Sequence, residues 1–382
     1  MTKQIVRSGA DRRELLLPLF HGKRVGLITN PTGMTKEFVS TIDVLHGLGV
    51  LACLFSPEHG VRGEHQAGAK VSFYTDEKTG VPVHSTYGGS LHIPREVLEP
   101  LDLLVYDIQD VGARYYTYVY TLSYAMEDCA AAGKPLVILD RVNPVGGGME
   151  GTILERPFSS FVGRYPVPSR YGLTVGEFAR YINATEGIGC DLTVVPLEGW
   201  TRDTFYDETD LPWVAPSPNI PTVEAAFAYL CTCLFEGTNL SEGRGTTHPF
   251  EWIGAPWLKA SELAERFNRK GLPGVKLREC HFTPTFSKYK DTLCHGVQVH
   301  ITDRRAFKPF ETGLRLLWEI RQTHEEFAFL PPWKEGSPAF IDLLLGTDAL
   351  RREDFEPESF LKEQEDKVKA FENAVKPYLL YP

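Results

Sequence analysis

Short unbroken runs of valine, isoleucine and leucine alternate with longer segments of helical period through the first half of the chain. Residues 24–30 (RVGLITN), 50–56, 103–108 (LLVYDI), 136–140 (LVILD) and 191–196 read as strands, with a shorter one at 81–84. Residues 36–48, 94–98, 115–132 and 174–186 read as helices, and Gly133 stands where the third of these would end. A strand that is apolar at every position is buried on both faces, as in a parallel sheet covered by helices. Residues 1–215 therefore predict a Rossmann-like α/β domain.

The pattern changes after the proline-rich stretch 212–221 (PWVAPSPNIP), which predicts a domain connection. Helical period returns at 223–235, 306–323, 340–345 and 360–376, while 275–282 and 296–301 read as strands. Residues 236–257 form a long loop rich in glycine, threonine and aromatic side chains. Residues 216–382 thus predict a smaller α+β domain, with an active-site cleft between the two.

Composition narrows the class. The chain has 382 residues, 42% hydrophobic and 24% charged, which suits a protein with full-sized cores. A formal net charge of -10 argues against a nucleic-acid or anionic-membrane partner. An anionic ligand would need a local arginine site. No apolar stretch reaches the roughly 18 residues of a membrane span. The polar start Met1-Thr2-Lys3-Gln4 lacks a signal-peptide core. The expectation is a cytoplasmic protein, or a secreted one if a signal peptide has been removed. The seven cysteines are scattered and lack paired CxxC spacing, which predicts buried thiols and no zinc. No GxSxG, Walker loop or GxGxxG stands in a fitting context, so no cofactor is expected.

The candidate chemistry gathers at strand ends. Four strands run into Asn30-Pro31-Thr32-Gly33, SPEHGVRG (56–63), DIQDVGARYY (107–116) and Asp140-Arg141-Val142-Asn143. Ligands of open parallel sheets bind beyond the carboxyl ends of the strands. A single aspartate or asparagine there is accounted for by turn or helix capping. Four polar ends on one sheet edge favour a site, drawing in Asn30, His59, Arg62, Gln109, Arg114, Asp140 and Asn143 as substrate-binding candidates. Glu58 and Asp107 are candidate catalytic carboxylates. Partial desolvation after an apolar strand would raise Glu58 toward the role of proton donor, while His59 and Arg62 would oppose that rise. A loop salt bridge between Glu58 and Arg62 is the structural alternative. Tyr116 could stack on a sugar face or offer its hydroxyl.

A second polar cluster, EGTNLSEGRGTTHPF (236–250), supplies Asn239, Glu242 and Arg244 as further binding candidates. Arginine can grip a carboxylate in two-pronged fashion. A metal-assisted hydrolase using His59, Glu64, His65 and Asp107 is a competing class. However, Gly60 and Gly63 break the helix that HExxH spacing needs. A non-enzymatic binder of amino sugars or muropeptides is another.

In this order, GLITNPTG (26–33), SPEHGVRG (56–63), YDIQDVGARYYTY (106–118), LDRVNPVGG (139–147) and EGTNLSEGRGTTHPFEWIGAPW (236–257) resemble the exo-acting β-N-acetylmuramidase family. These are NamZ-type peptidoglycan hexosaminidases, formerly a domain of unknown function. The similarity runs over roughly residues 20–380. It implies a Rossmann-like domain, a smaller second domain and a cleft between them. It also implies release of terminal MurNAc from the non-reducing end of peptidoglycan fragments such as MurNAc-GlcNAc. By motif match the family's catalytic glutamate falls on Glu58. Asp107 or Tyr116 would then stabilise the oxocarbenium-like transition state or position the acetamide, whose own attack makes a protein nucleophile unnecessary. Arg244 is the candidate for the lactyl carboxylate, with Arg62, Arg114 and Arg170 as competitors.

Overall fold

The structure, a computed structural model, describes residues 3–57, 60–62, 73–85 and 91–382. The first half is built on strands β1 (Val25–Thr29), β2 (Leu51–Ser56), β3 (Tyr74–Thr75), β4 (Pro82–Ser85), β5 (Leu103–Asp107), β6 (Leu136–Leu139) and β7 (Leu192–Val195). They form one sheet in the order β3-β4-β2-β1-β5-β6-β7. Every pairing is parallel except that of the two-residue edge strand β3 with β4. Side chains alternate across the pleat, so each strand feeds two cores. Val25, Leu27, Leu103, Val105 and Val137 pack on helices α1 (Arg13–Phe20) and α2 (Thr41–Gly47). Ile28, Phe55, Leu104, Tyr106 and Ile138 face the other way, toward α3 (Arg95–Leu98), α4 (Tyr118–Ala132) and α5 (Val175–Thr185).

Helix ends follow local chemistry. Thr174 caps α5, accepting from Glu177 N while Glu177 accepts from Thr174 N, and Gly133 closes α4 in the left-handed region at φ 64°. Two expected helices start late. The span 36–48 becomes helical only at Thr41, because Ser40 accepts from Ile42 N as the N-cap and Phe38 sits at φ 61°. The span 115–132 becomes helical only at Tyr118, so Tyr116 lies in the turn before α4 and not in its first turn.

The second half begins with α6 (Val223–Thr232), which tightens into a short 3-10 segment at Cys233–Gly237. Three antiparallel strands, β8 (Trp252–Ala255), β9 (Val275–Phe282) and β10 (Cys294–Ile301), follow in the order β8-β10-β9. Around them lie α7 (Ala260–Arg269), α8 (Pro309–Thr323), α9 (Phe340–Leu345) and α10 (Pro357–Val375). Strand β8 falls inside the expected loop 236–257. Helix α7 buries Ala260, Leu263, Ala264 and Phe267 at i, i+3, i+4 and i+7, a stripe hidden in a strongly charged segment.

The larger core runs without a break from the sheet into α6, α8 and α9. Hydrogen bonds cross with it: Tyr115 Oη donates to the Leu230 carbonyl at 2.8 Å, and Tyr118 Oη to that of Pro216 at 3.2 Å. The seven cysteines are buried and free, and burial raises the Cys53 and Cys190 thiols to about 12.

Candidate active site

Strand order brings the four polar ends together. β2, β1, β5 and β6 are consecutive parallel neighbours, so their carboxyl ends share one edge of the sheet. Glu58 and His59, which follow β2, lie outside the described residues, as do Glu64 and His65 of the metal alternative.

At the end of β5, Asp107 is fully buried. Arg141, from the end of β6, donates to both its oxygens, Nε at 2.5 Å and Nη2 at 2.9 Å, and Thr41 donates as well. Arg141 Nη2 also reaches the Met34 carbonyl at 3.0 Å. Burial opposes the Arg141 charge, but Asp107 beside it keeps its pKa above the ordinary value. This pair, buried on both sides, stitches the ends of β1, β5 and β6. Gln109 adds to the seam: its amide donates to the Val142 carbonyl and its backbone N–H to Thr32 Oγ1. Asn30 Oδ1 accepts from Thr32 N, while its buried Nδ2 has no partner among the described residues.

Other strand-end candidates are bonded inward. Asp140 accepts from Gly176 N at 2.8 Å, Thr174 Oγ1 at 2.7 Å and Tyr381 Oη at 2.5 Å, so it caps α5 and ties down the C-terminus. Burial lifts its carboxyl to about 6 despite those donors. Asn143 holds the Leu173 carbonyl at 2.8 Å. Arg114 is wholly buried and donates to the Leu344 and Leu345 carbonyls at the end of α9, an inter-half tie that uses the unsatisfied acceptors of a helix terminus. Arg62 grips Asp76 at 2.6 and 2.9 Å.

Above β1, β5 and β6, Tyr206, Leu211 and Pro212 fill the edge and leave a void of about 20 Å³. That is room for a water, against the roughly 300 Å³ of a small-ligand site. Among the described residues no sugar-sized void opens at this section of the edge.

Tyr116, at the far end of the β5 loop, leads instead to the second half. Its ring meets Tyr229 edge-on at 5.9 Å, Tyr229 meets Phe250 at 4.6 Å, and the Arg244 guanidinium lies 4.9 Å over Phe250. Tyr116 and Arg244 are thus joined by a continuous run of rings. Arg244 is held by Glu236 at 2.8 Å and Glu242 at 3.4 Å, and Lys288 bonds Glu242 at 3.0 Å. Lys288 Nζ also donates to the Phe235, Glu236 and Leu240 carbonyls. Burial raises Glu236 against the pull of Arg244, and burial likewise opposes the Arg244 charge, which Glu236 nevertheless holds up. Gly243 makes the loop possible, because at φ 79° a Cβ would come within 2.7 Å of the His248 carbonyl. Asn239 is a clamp on the neighbouring segment, bonding the Glu326 carbonyl and Ala328 N.

The geometry singles out Arg141, Glu236 and Lys288 beyond the expected residues. Arg141 and Glu236 stand inside the polar motifs read from the sequence. Lys288 lies in a separate loop with no local signal.

The N-terminal model of the exo-β-N-acetylmuramidase NamZ family matches residues 25–224, and its C-terminal model matches residues 227–381. The chain belongs to the NamZ family. The peptidoglycan β-N-acetylmuramidase NamZ of Bacillus subtilis (strain 168) is 47% identical over 390 residues, covering 99% of this chain and 92% of that protein. A crystal structure of a DUF1343 family protein from Bacteroides fragilis superposes with a TM-score of 0.90 at 36% identity, covering 99% of both chains. A second DUF1343 protein from that organism gives 0.80 at 32% identity, covering 98% of this chain and 99% of its own. The two-domain α/β architecture is therefore a NamZ-family property, and the polar edge and the 236–250 loop belong to a glycosidase scaffold.

Proposed function

We propose that this protein is an exo-β-N-acetylmuramidase that releases terminal MurNAc from the non-reducing end of peptidoglycan fragments such as MurNAc-GlcNAc. Membership of the NamZ family along both halves carries this reading. The decisive experiment offers the protein MurNAc-GlcNAc and, separately, GlcNAc-MurNAc. MurNAc should appear from the first while the second stays intact; release from neither overturns the reading. Proton NMR of the newly formed anomer in the same reaction distinguishes retention from inversion.

In the mechanism we infer, Glu58 protonates the departing glycosidic oxygen while charge develops at the anomeric carbon. The sugar lies between the end of β2 and the 236–250 loop, beside Tyr116, because the β1–β5–β6 section of the edge is filled. Asp107 acts as a positioning residue: both its oxygens are bonded within the protein, and it fixes Arg141 and the strand ends that carry the site.

Arg244 is the binder of the lactyl carboxylate. Glu236 and Glu242 orient its guanidinium. A charge-assisted bond is worth about 1.5–3 kcal/mol. Arg244→Ala is therefore expected to raise KM for a MurNAc glycoside by about tenfold or more, with little effect on the matching GlcNAc glycoside. An unchanged preference between the two would remove Arg244 from this role.

A further inference from the structure

Backbone strain is concentrated where two loops face each other. Among the described residues, five other than glycine have positive φ, and four of them lie in these loops. Phe250, at φ 65°, ends the 236–250 loop; Ser287, Tyr289 and Asp291, at 70°, 56° and 59°, belong to the connection between β9 and β10. The left-handed region is unfavourable for L side chains, and residues persist there only where their surroundings over-determine them. Lys288 stands among the three strained positions of the β9–β10 connection.

Contact with the arginine-bearing loop is what holds that connection. Lys288 Nζ donates to the Phe235 carbonyl at 2.9 Å, the Glu236 carbonyl at 3.1 Å, the Leu240 carbonyl at 2.9 Å and Glu242 Oε2 at 3.0 Å. The first two carbonyls lie at the end of the 3-10 segment, where a helix terminus leaves acceptors open. Tyr289 Oη donates to the Asn239 carbonyl at 2.6 Å, and Thr285 N to the Gly245 carbonyl at 2.9 Å. The 236–250 loop is thus fastened on both sides of Arg244, at Glu242 and at Gly245. Position 245 has to be glycine for the loops to meet, since at φ 80° a Cβ would stand 2.6 Å from the Phe286 carbonyl.

The charges give this clamp a second task. Arg244 meets Glu236 at 2.8 Å and Glu242 at 3.4 Å, and two carboxylates around one guanidinium would over-neutralise it. Lys288 takes the second oxygen of Glu242, leaving the first to Arg244. Two cations then balance two acids. Without the ammonium the cluster would carry an excess negative charge, and partly buried charges are only weakly screened by salt. An incoming carboxylate would be repelled.

We propose that Lys288 is a positioning residue that sets the preference for an acidic sugar. It acts through Arg244 and not on the sugar itself, fixing the loop and sparing the Arg244 charge for the lactyl carboxylate. The proposal rests on the reading of Arg244 as the lactyl binder.

Isothermal titration of the full chain with MurNAc and with GlcNAc tests it. The wild type should prefer MurNAc. Lys288→Met, which keeps an unbranched stem, should bind MurNAc at least tenfold more weakly and GlcNAc within about twofold of wild type. Lys288→Ala should behave alike, and n-propylammonium, which replaces the missing stem and charge, should restore its MurNAc binding where tetramethylammonium does not. On a MurNAc glycoside the loss should fall on KM, with kcat within a few-fold. A folded Lys288→Met that keeps the wild-type preference, or that weakens both sugars equally, would overturn the proposal. If Lys288→Met fails to fold by circular dichroism, Lys288→Ala with and without the amine decides. Arg244→Ala in the same titration separates the two readings. Preference that survives in Arg244→Ala removes the lactyl assignment and this proposal with it; preference lost there but kept in Lys288→Met removes the role of Lys288 alone.

Discussion

Glu58→Gln is expected to lower kcat on MurNAc-GlcNAc by about 10²–10⁴-fold, the usual contribution of a positioned general acid, with KM changed only a few-fold. The substitution keeps the size and hydrogen bonding of the side chain but removes the transferable proton. The loss should depend on the leaving group. A sugar alkoxide needs protonation as it departs, whereas nitrophenolate does not, so a nitrophenyl MurNAc glycoside should be hydrolysed far closer to the wild-type rate. The basic limb of the kcat/KM profile, set by the acid of the free enzyme, should vanish in the variant. Normal turnover of both substrates by Glu58→Gln would remove Glu58 from the acid role. An equal loss on both would point to a role in stabilising positive charge at the anomeric carbon.

The sheet edge at which β2 ends was legible because the sheet was legible. Continuous apolar runs placed the parallel strands to within a residue or two, and parallel pairing forces strands of one direction to end on one edge. What lay beyond local pattern was which polar side chains at that edge are already satisfied by the protein. Asp140 looks like a free strand-end acid, yet its partners are Thr174, Gly176 and Tyr381, the last 241 residues away. Arg114 looks like a ligand-facing arginine within DIQDVGARYY, yet it ends on carbonyls 230 and 231 residues downstream. No local spacing encodes such long-range closures. The same limit hid Lys288, whose relation to Glu242 appears only when the two loops meet. Helix starts were misplaced for a different reason: apolar period continues through residues 36–40 and 115–117, but Ser40 and the turn at 115–117 end the helix before the period does.

Asp107→Ala is expected to be among the most destabilising single changes in the first half, by about 3–5 kcal/mol, because it strands Arg141 as an uncompensated buried charge. Removing one partner of a buried pair is worse than removing both, since the survivor bears the full desolvation penalty. Asp107→Leu combined with Arg141→Met should therefore recover much of the loss seen in either single variant, measured by urea unfolding in a double-mutant cycle. Activity separates this role from catalysis. If Asp107 holds Arg141 and the strand ends, the folded fraction of Asp107→Asn should keep a kcat within about tenfold of wild type, well above the loss expected for an essential general acid. Its losses should then follow stability, deepening with temperature and denaturant. A kcat collapse in Asp107→Asn at full stability would instead place Asp107 against the substrate, and would require that Arg141 release it when the sugar binds.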